Sequence, residues 1–188
     1  MWWLLASIAV YFLLICYDFA NLHGKKWISY SLAVAGIAML IISSGYGIYS
    51  VFSIDIIRNH MLLKSVEMLG ALGSLGLLVH CLFFALPARD TYINPQRIKL
   101  VNTGFYALCR HPGLWWLSLL YLFLWMLLEH KAMLYLWVIN TFGDIVYVVI
   151  QDIFIFPKTI DGYHMYKLET PFLIPTRKSI LRMFSNSE

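Results

Sequence analysis

The chain has 188 residues, of which 61% are apolar and only 13% charged, against about 45–50% and about a quarter in an average soluble domain. With a mean hydropathy of +0.72, so much apolar surface cannot be hidden inside a soluble fold of this size. The composition excludes an ordinary cytosolic enzyme, a disordered chain and a disulfide-rich secreted module, and implies a polytopic membrane protein whose side chains face lipid.

A span needs about 20 mostly apolar residues. Five stretches approach that length, at 2–17, 27–49, 65–86, 112–128 and 132–156. The first has no Lys or Arg and runs into Asp18, so it reads as an uncleaved spanning helix and not as a signal peptide. Trp2, Trp3, Trp27, Trp115, Trp116 and Trp137 lie toward span ends, as in an aromatic belt. In the third stretch, Gly70, Gly73 and Gly76 with Ser74 predict a close-packing face, and His80 reads as a packed or hydrogen-bonded histidine and not as a ligand. The expected fold is all-α: a single membrane domain over 1–188 with about five transmembrane helices and a cytoplasmic C-terminal helical segment.

The net charge of +4 is spread in ones and twos, which suits loops against anionic headgroups and not a nucleic-acid surface. Five spans put the termini on opposite sides. With the C-terminus inside, eleven Lys and Arg lie in the cytoplasm and only Arg58, Lys64 and Lys131 outside. That bias orients the chain with its N-terminus out and its C-terminus in. The odd, scattered cysteines Cys16, Cys81 and Cys109 fit neither a disulfide framework nor a thiolate site. No paired histidines, Gly-x-Ser-x-Gly or phosphate loop occur, so no metal is expected.

Two polar segments share the cytoplasmic side, the loop 87–111 and the tail 157–188. In the loop, Pro112 predicts the start of the fourth span, with His111 at its N-cap. A helix start offers free N–H groups and a positive dipole end to an anion. Arg110 adds a planar fork of donors beside it, and Gly104 and Tyr106 supply a turn and an aromatic face. The plain alternative is a juxtamembrane cap in which Arg110 and His111 meet headgroups. Asp144 and Asp152 lie in the last apolar run, where an acid points to a pocket or pathway or to a partner across a helix interface.

Gly104-Phe-Tyr106, with Arg110-His111-Pro112 following, resembles the Gly-x-Tyr-x-x-x-Arg-His-Pro signature of the isoprenylcysteine carboxyl methyltransferase family. That family and the related phospholipid methyltransferases are integral membrane enzymes that use S-adenosylmethionine. A second block is also similar: Gln151-Asp152 at a paired-acid position, then Tyr163-His-Met-Tyr166 and Pro171. The resemblance covers about 100–175 and implies cofactor-site segments at 87–114 and 144–175. It implies that Ile98, Lys99, Leu100, Val101, Tyr106, His111, Pro112, Gly113, Leu114 and Gln151 bind S-adenosyl-L-methionine. Arg110, His111 and Asp152 would carry catalysis, and the sulfonium would rest against Tyr106, Asp152 or Asp144. Leu114, Trp116 and Tyr147 stand where the family has Tyr, Gly and a substrate-binding Arg, so the cofactor half is matched more fully than the substrate half.

The expected function is therefore methyl transfer to a lipidic or amphipathic acceptor in the membrane, with no nucleic-acid or metal partner. A carboxylate acceptor needs no general base, whereas an amine or thiol would need His111 or Asp152. Two alternatives are a non-catalytic family member and a small membrane transporter or lipid-binding protein using Asp144 and Asp152.

Overall fold

The computed structural model describes residues 2–52, 61–85 and 100–185. The expected loop positions 87–99, including Ile98 and Lys99, lie outside them. The described residues are helical throughout, apart from connections.

Helix α1 spans Trp2–Leu22 and α2 Lys26–Val51. Helix α3 runs from Met61 to Val79 and continues through a π-helical turn, His80–Phe84. A short α4, Phe105–Leu108, leads into α5, Pro112–Leu128. Helix α6, Lys131–Ile150, continues through a second π-helical turn, Gln151–Ile155, and one α-turn to Thr159. Two short helices follow, α7 (Tyr163–Glu169) and α8 (Arg177–Ser185).

Four of these helices, Trp2–Leu22, Lys26–Val51, Met61–Phe84 and Lys131–Thr159, are long and apolar enough to cross a membrane. The 17 residues of α5 are equally apolar but fewer, and rise only about 25 Å against a hydrocarbon core of about 30 Å. Apolar side chains that point out of the bundle, such as Leu5, Phe12, Ile41, Leu62 and Leu69, are more than half exposed, as a lipid-facing surface requires.

Packing runs in the order α2, α1, α6, α5, α3. Two glycines permit the closest approaches: a Cβ at Gly143 of α6 would overlap the Tyr11 ring of α1, and one at Gly70 of α3 would strike Phe123 of α5. Gly73 and Gly76 have nothing near them, so the expected glycine face narrows to Gly70 and the buried Ser74. His80 is exposed and lies against the rings of Phe84 and Phe105, with centroids 6.2 Å away.

The apolar core lies toward the end where α1 begins and α5 ends. It comprises Trp3, Leu4, Leu117, Tyr121, Leu127, Leu128, Met133 and Leu136. Beside it a buried ammonium joins α3 to α5: Lys64 Nζ donates to Glu67 Oε2 at 3.0 Å, Glu129 Oε1 at 2.6 Å and the Met126 carbonyl at 2.8 Å. Three donors meet three acceptors, which is what a buried ammonium needs. Glu129 takes a left-handed conformation (φ 48°) at the end of α5, uncommon for a residue with a side chain.

Candidate functional site

The opposite end of the bundle is held by one carboxylate. His111 caps α5 and Pro112 is its first residue. The non-helical backbone before proline (His111 φ −127°, ψ 63°) thus sets Arg110 and His111 on a corner at the helix start. The π-helical turn after Ile150 brings Asp152 against that corner. Such turns insert a residue into the helical phase and recur at functional sites.

Asp152 is 5% exposed. Arg110 Nε donates to its Oδ1 at 2.8 Å and Arg110 Nη2 to Oδ2 at 3.3 Å, a two-point fork. Lys167 Nζ sits 2.8 Å from Oδ2, and the Tyr163 hydroxyl donates to Oδ1 at 2.6 Å. His111 Nε2 approaches Oδ1 at 3.4 Å. With a carboxylate as acceptor, that nitrogen carries the imidazole proton.

The tail closes over the corner. Arg110 Nη1 donates to the carbonyls of Lys167 and Thr170, and the Arg110 amide to that of Pro171. The Tyr166 hydroxyl donates to the Tyr106 carbonyl at 2.6 Å, and the Tyr106 hydroxyl to the Cys81 carbonyl in the first π-helical turn at 3.1 Å. The resemblance's two sequence blocks thus meet in one hydrogen-bonded cluster, linked through Tyr106 to α3.

Aromatic rings surround His111: Phe156 stacks on it at 5.8 Å and Phe172 meets it edge-on at 5.0 Å. The Arg110 guanidinium lies 5.5 Å from the Phe172 ring centroid. Burial pushes the His111 imidazole below its ordinary range, against the opposing pull of Asp152. Burial first, then the Asp152 carboxylate, raises the Tyr163 hydroxyl. Burial raises the Cys109 thiol to about 11, which disfavours its thiolate form.

Charge arithmetic decides what this cluster can attract. One carboxylate faces two cations, Arg110 and Lys167, a surplus of one positive charge. The first-turn N–H groups of α5 have no side-chain cap. The Thr170 hydroxyl is buried without a partner. These donors suit a carboxylate. Asp152 already receives several donors and is a poor counter-ion for an added cation, so the rings around His111 suit a sulfonium better. Among the described residues no three His, Cys, Asp or Glu side chains gather as a metal would need.

Of the expected site residues, Arg110, His111 and Asp152 are brought together, with Tyr106, Pro112, Gly113 and Leu114 in the segments that carry or adjoin the corner. Leu100 and Val101 stand at the start of the described segment leading to α4. Gln151 is not in the cluster: its Nε2 donates to Asp18 Oδ2 on α1 at 2.9 Å and to the Tyr147 hydroxyl at 2.8 Å. Asp144 lies two helical turns before Asp152, in the body of α6. Sequence reasoning missed Lys167, Phe156 and Phe172. A signal for Lys167 existed, since Tyr163, Tyr166 and Lys167 have the i, i+3, i+4 spacing of one helix face. The chain matches no protein-family model, no curated protein and no solved structure.

Proposed function

We propose that the chain is an integral membrane methyltransferase that uses S-adenosylmethionine and acts on a lipidic or amphipathic acceptor, similar to the isoprenylcysteine carboxyl methyltransferases. In this reading α5 is a fifth span, the N-terminus is outside, and the Asp152 cluster faces the cytoplasm with the basic loops. One observation carries the reading: Arg110-His111 and the block of Asp152, Tyr163 and Tyr166, far apart in sequence, share one buried cluster at a helix start.

When bound, the cofactor supplies a methyl group made electrophilic by its sulfonium. The chain's residues bind, orient and exclude water. The start of α5 with the surplus charge of Arg110 and Lys167 would hold the cofactor carboxylate, together with the Thr170 hydroxyl. The rings of Phe156 and Phe172 would face the sulfonium. Arg110 and Asp152 act as positioning residues, because their polar atoms are committed to each other and to α7. His111 donates through Nε2 to Asp152, leaving Nδ1 to accept a proton from an amine or thiol acceptor. A carboxylate acceptor needs no such step.

That same commitment favours a second reading, a non-catalytic member that keeps the cluster only as a structural tie. Incubation of nanodisc-embedded protein with methyl-labelled S-adenosylmethionine and lipid-linked carboxylate, amine and thiol acceptors separates the two. Label in the lipid-extractable product, lost in His111→Ala, is expected. Cofactor binding without transfer to any acceptor class would favour the non-catalytic reading.

A further inference from the structure

Helix α8 is amphipathic in an inverted sense. Pro175 precedes it, and a reciprocal cap starts it: Thr176 N donates to Ser179 Oγ, and Ser179 N to Thr176 Oγ1. Ser179 is fully buried and Met183, one turn on, is half-buried, so this is the face turned to the protein, where α8 packs on α4. Ile180 and Leu181 point the other way, 42% and 71% exposed. Helix α7 likewise turns aliphatic side chains outward, Met165 and Leu168 being 61% and 71% exposed, while its inward face is aromatic, with Tyr163 bonded to Asp152 and Tyr166 to the Tyr106 carbonyl. Ile174, between the two helices, is 76% exposed.

On α8 the small Ser179 is fully buried, and the large aliphatic Ile180 and Leu181 face away, the reverse of a helix that merely covers a soluble core. Charge identifies what covers the outer face. Residues 156–185 carry five Lys and Arg against two acids. Arg177 and Lys178 are exposed in the first turn of α8, adjoining the aliphatic arc. Arg177 stands at the head of the aliphatic face, one turn before Ile180 and Leu181, and Lys178 flanks it. Aliphatic residues bordered by such snorkelling cations are the pattern of a helix lying in the headgroup layer, its apolar side in the acyl boundary. Position agrees: the helix ending at Thr159 has 29 residues, about 43 Å, so its end reaches past the hydrocarbon core. Helix α8 rests on α4, just before the start of α5.

We infer that α7 and α8 form one lipid-docking surface, with Met165, Leu168, Ile174, Ile180 and Leu181 entering the interface and Arg177 and Lys178 selecting anionic headgroups. This surface does not depend on the methyltransferase reading. It is the back of the face that carries Tyr163 and Tyr166, so docking holds the lid of the Asp152 cluster against the bilayer.

Nitroxides on Leu168→Cys, Leu181→Cys and Lys178→Cys, each with Cys16→Ser, report depth in the full chain reconstituted in nanodiscs. The remaining Cys81 and Cys109 are buried. In bilayers with 30% phosphatidylglycerol, labels at 168 and 181 should collide with oxygen and be shielded from a water-soluble nickel chelate, while the label at 178 meets the chelate. Adding Arg177→Glu and Lys178→Glu to the 181 label should lower the ratio of immersed to water-exposed label about five-fold per charge, as should replacement of the anionic lipid by phosphatidylcholine. An unchanged thermal transition shows that the charge-reversed protein is folded. Chelate access at both 168 and 181 in anionic bilayers overturns the inference. Dipolar coupling between labels on two copies overturns it in favour of self-association. Immersion indifferent to anionic lipid and to charge reversal overturns the headgroup selection.

Discussion

The two ends of the bundle solve the same problem with inverted charge. At one end a buried ammonium, Lys64, lies under two carboxylates, Glu67 and Glu129. At the other a buried carboxylate, Asp152, lies under two cations, Arg110 and Lys167. The Lys64 cluster leaves a surplus negative charge, joins neighbouring helices, and opens to solvent through Glu129, whose side chain is 59% exposed. The Asp152 cluster leaves a surplus positive charge, gathers a loop corner, a π-helical turn and the tail, and lies beside an uncapped helix start. The first is a clip between helices. The second has the charge and the donors to receive an anion.

Removing each central charge separates the roles. Asp152→Ala strands Arg110, whose side chain is 10% exposed, while Lys167 can turn to water; breaking a buried pair by deleting one partner costs about 3–5 kcal/mol. The thermal transition in detergent should drop sharply and S-adenosylhomocysteine binding should vanish. Lys64→Met strands Glu67, which is 4% exposed, but Glu129 can return to water, so about 2–3 kcal/mol is expected. Its binding of S-adenosylhomocysteine should stay within two-fold, and a large loss there would erase the distinction between the ends.

Gly143→Val tests the bundle between them. The added methyl groups collide with Tyr11, and overpacking of this kind costs about 1–3 kcal/mol, read as a lower transition with little change in binding.

The smallest effect is a pH slope. His111 is held below its ordinary value of 6.5. As pH falls through that value, the unfolded chain takes up a proton that the folded chain refuses. Stability is therefore full above about pH 6.5 and is lost as pH falls below it. The limit is about 1.4 kcal/mol per pH unit, and His111→Gln should flatten the slope between pH 7 and 5.5.

Much of the fold is legible in the apolar runs, and the start of α5 in His111-Pro112, because proline fixes the local backbone. The helices extend past the predicted ends, α1 to Leu22 and the last to Thr159, since helical hydrogen bonding continues into the interface where composition turns polar. The family resemblance implies that Gln151 and Asp152, at its paired-acid position, share a site. The π-helical turn begins there, and the two side chains part, Gln151 to Asp18 on α1 and Asp152 to Arg110 at the corner before α5. The Lys64 triad was not legible, since Glu129 joins it from another helix through a left-handed turn that no local pattern announces. Lys167 was within reach, as the third member of a face already marked by Tyr163 and Tyr166.

Titration calorimetry of the purified full chain with S-adenosylhomocysteine tests the central claim most directly, namely that the Asp152 end is a cofactor site. The account predicts saturable binding that is lost in His111→Ala, weakened by Lys167→Met and retained in Lys64→Met. Absence of binding at millimolar ligand to a folded protein would contradict it.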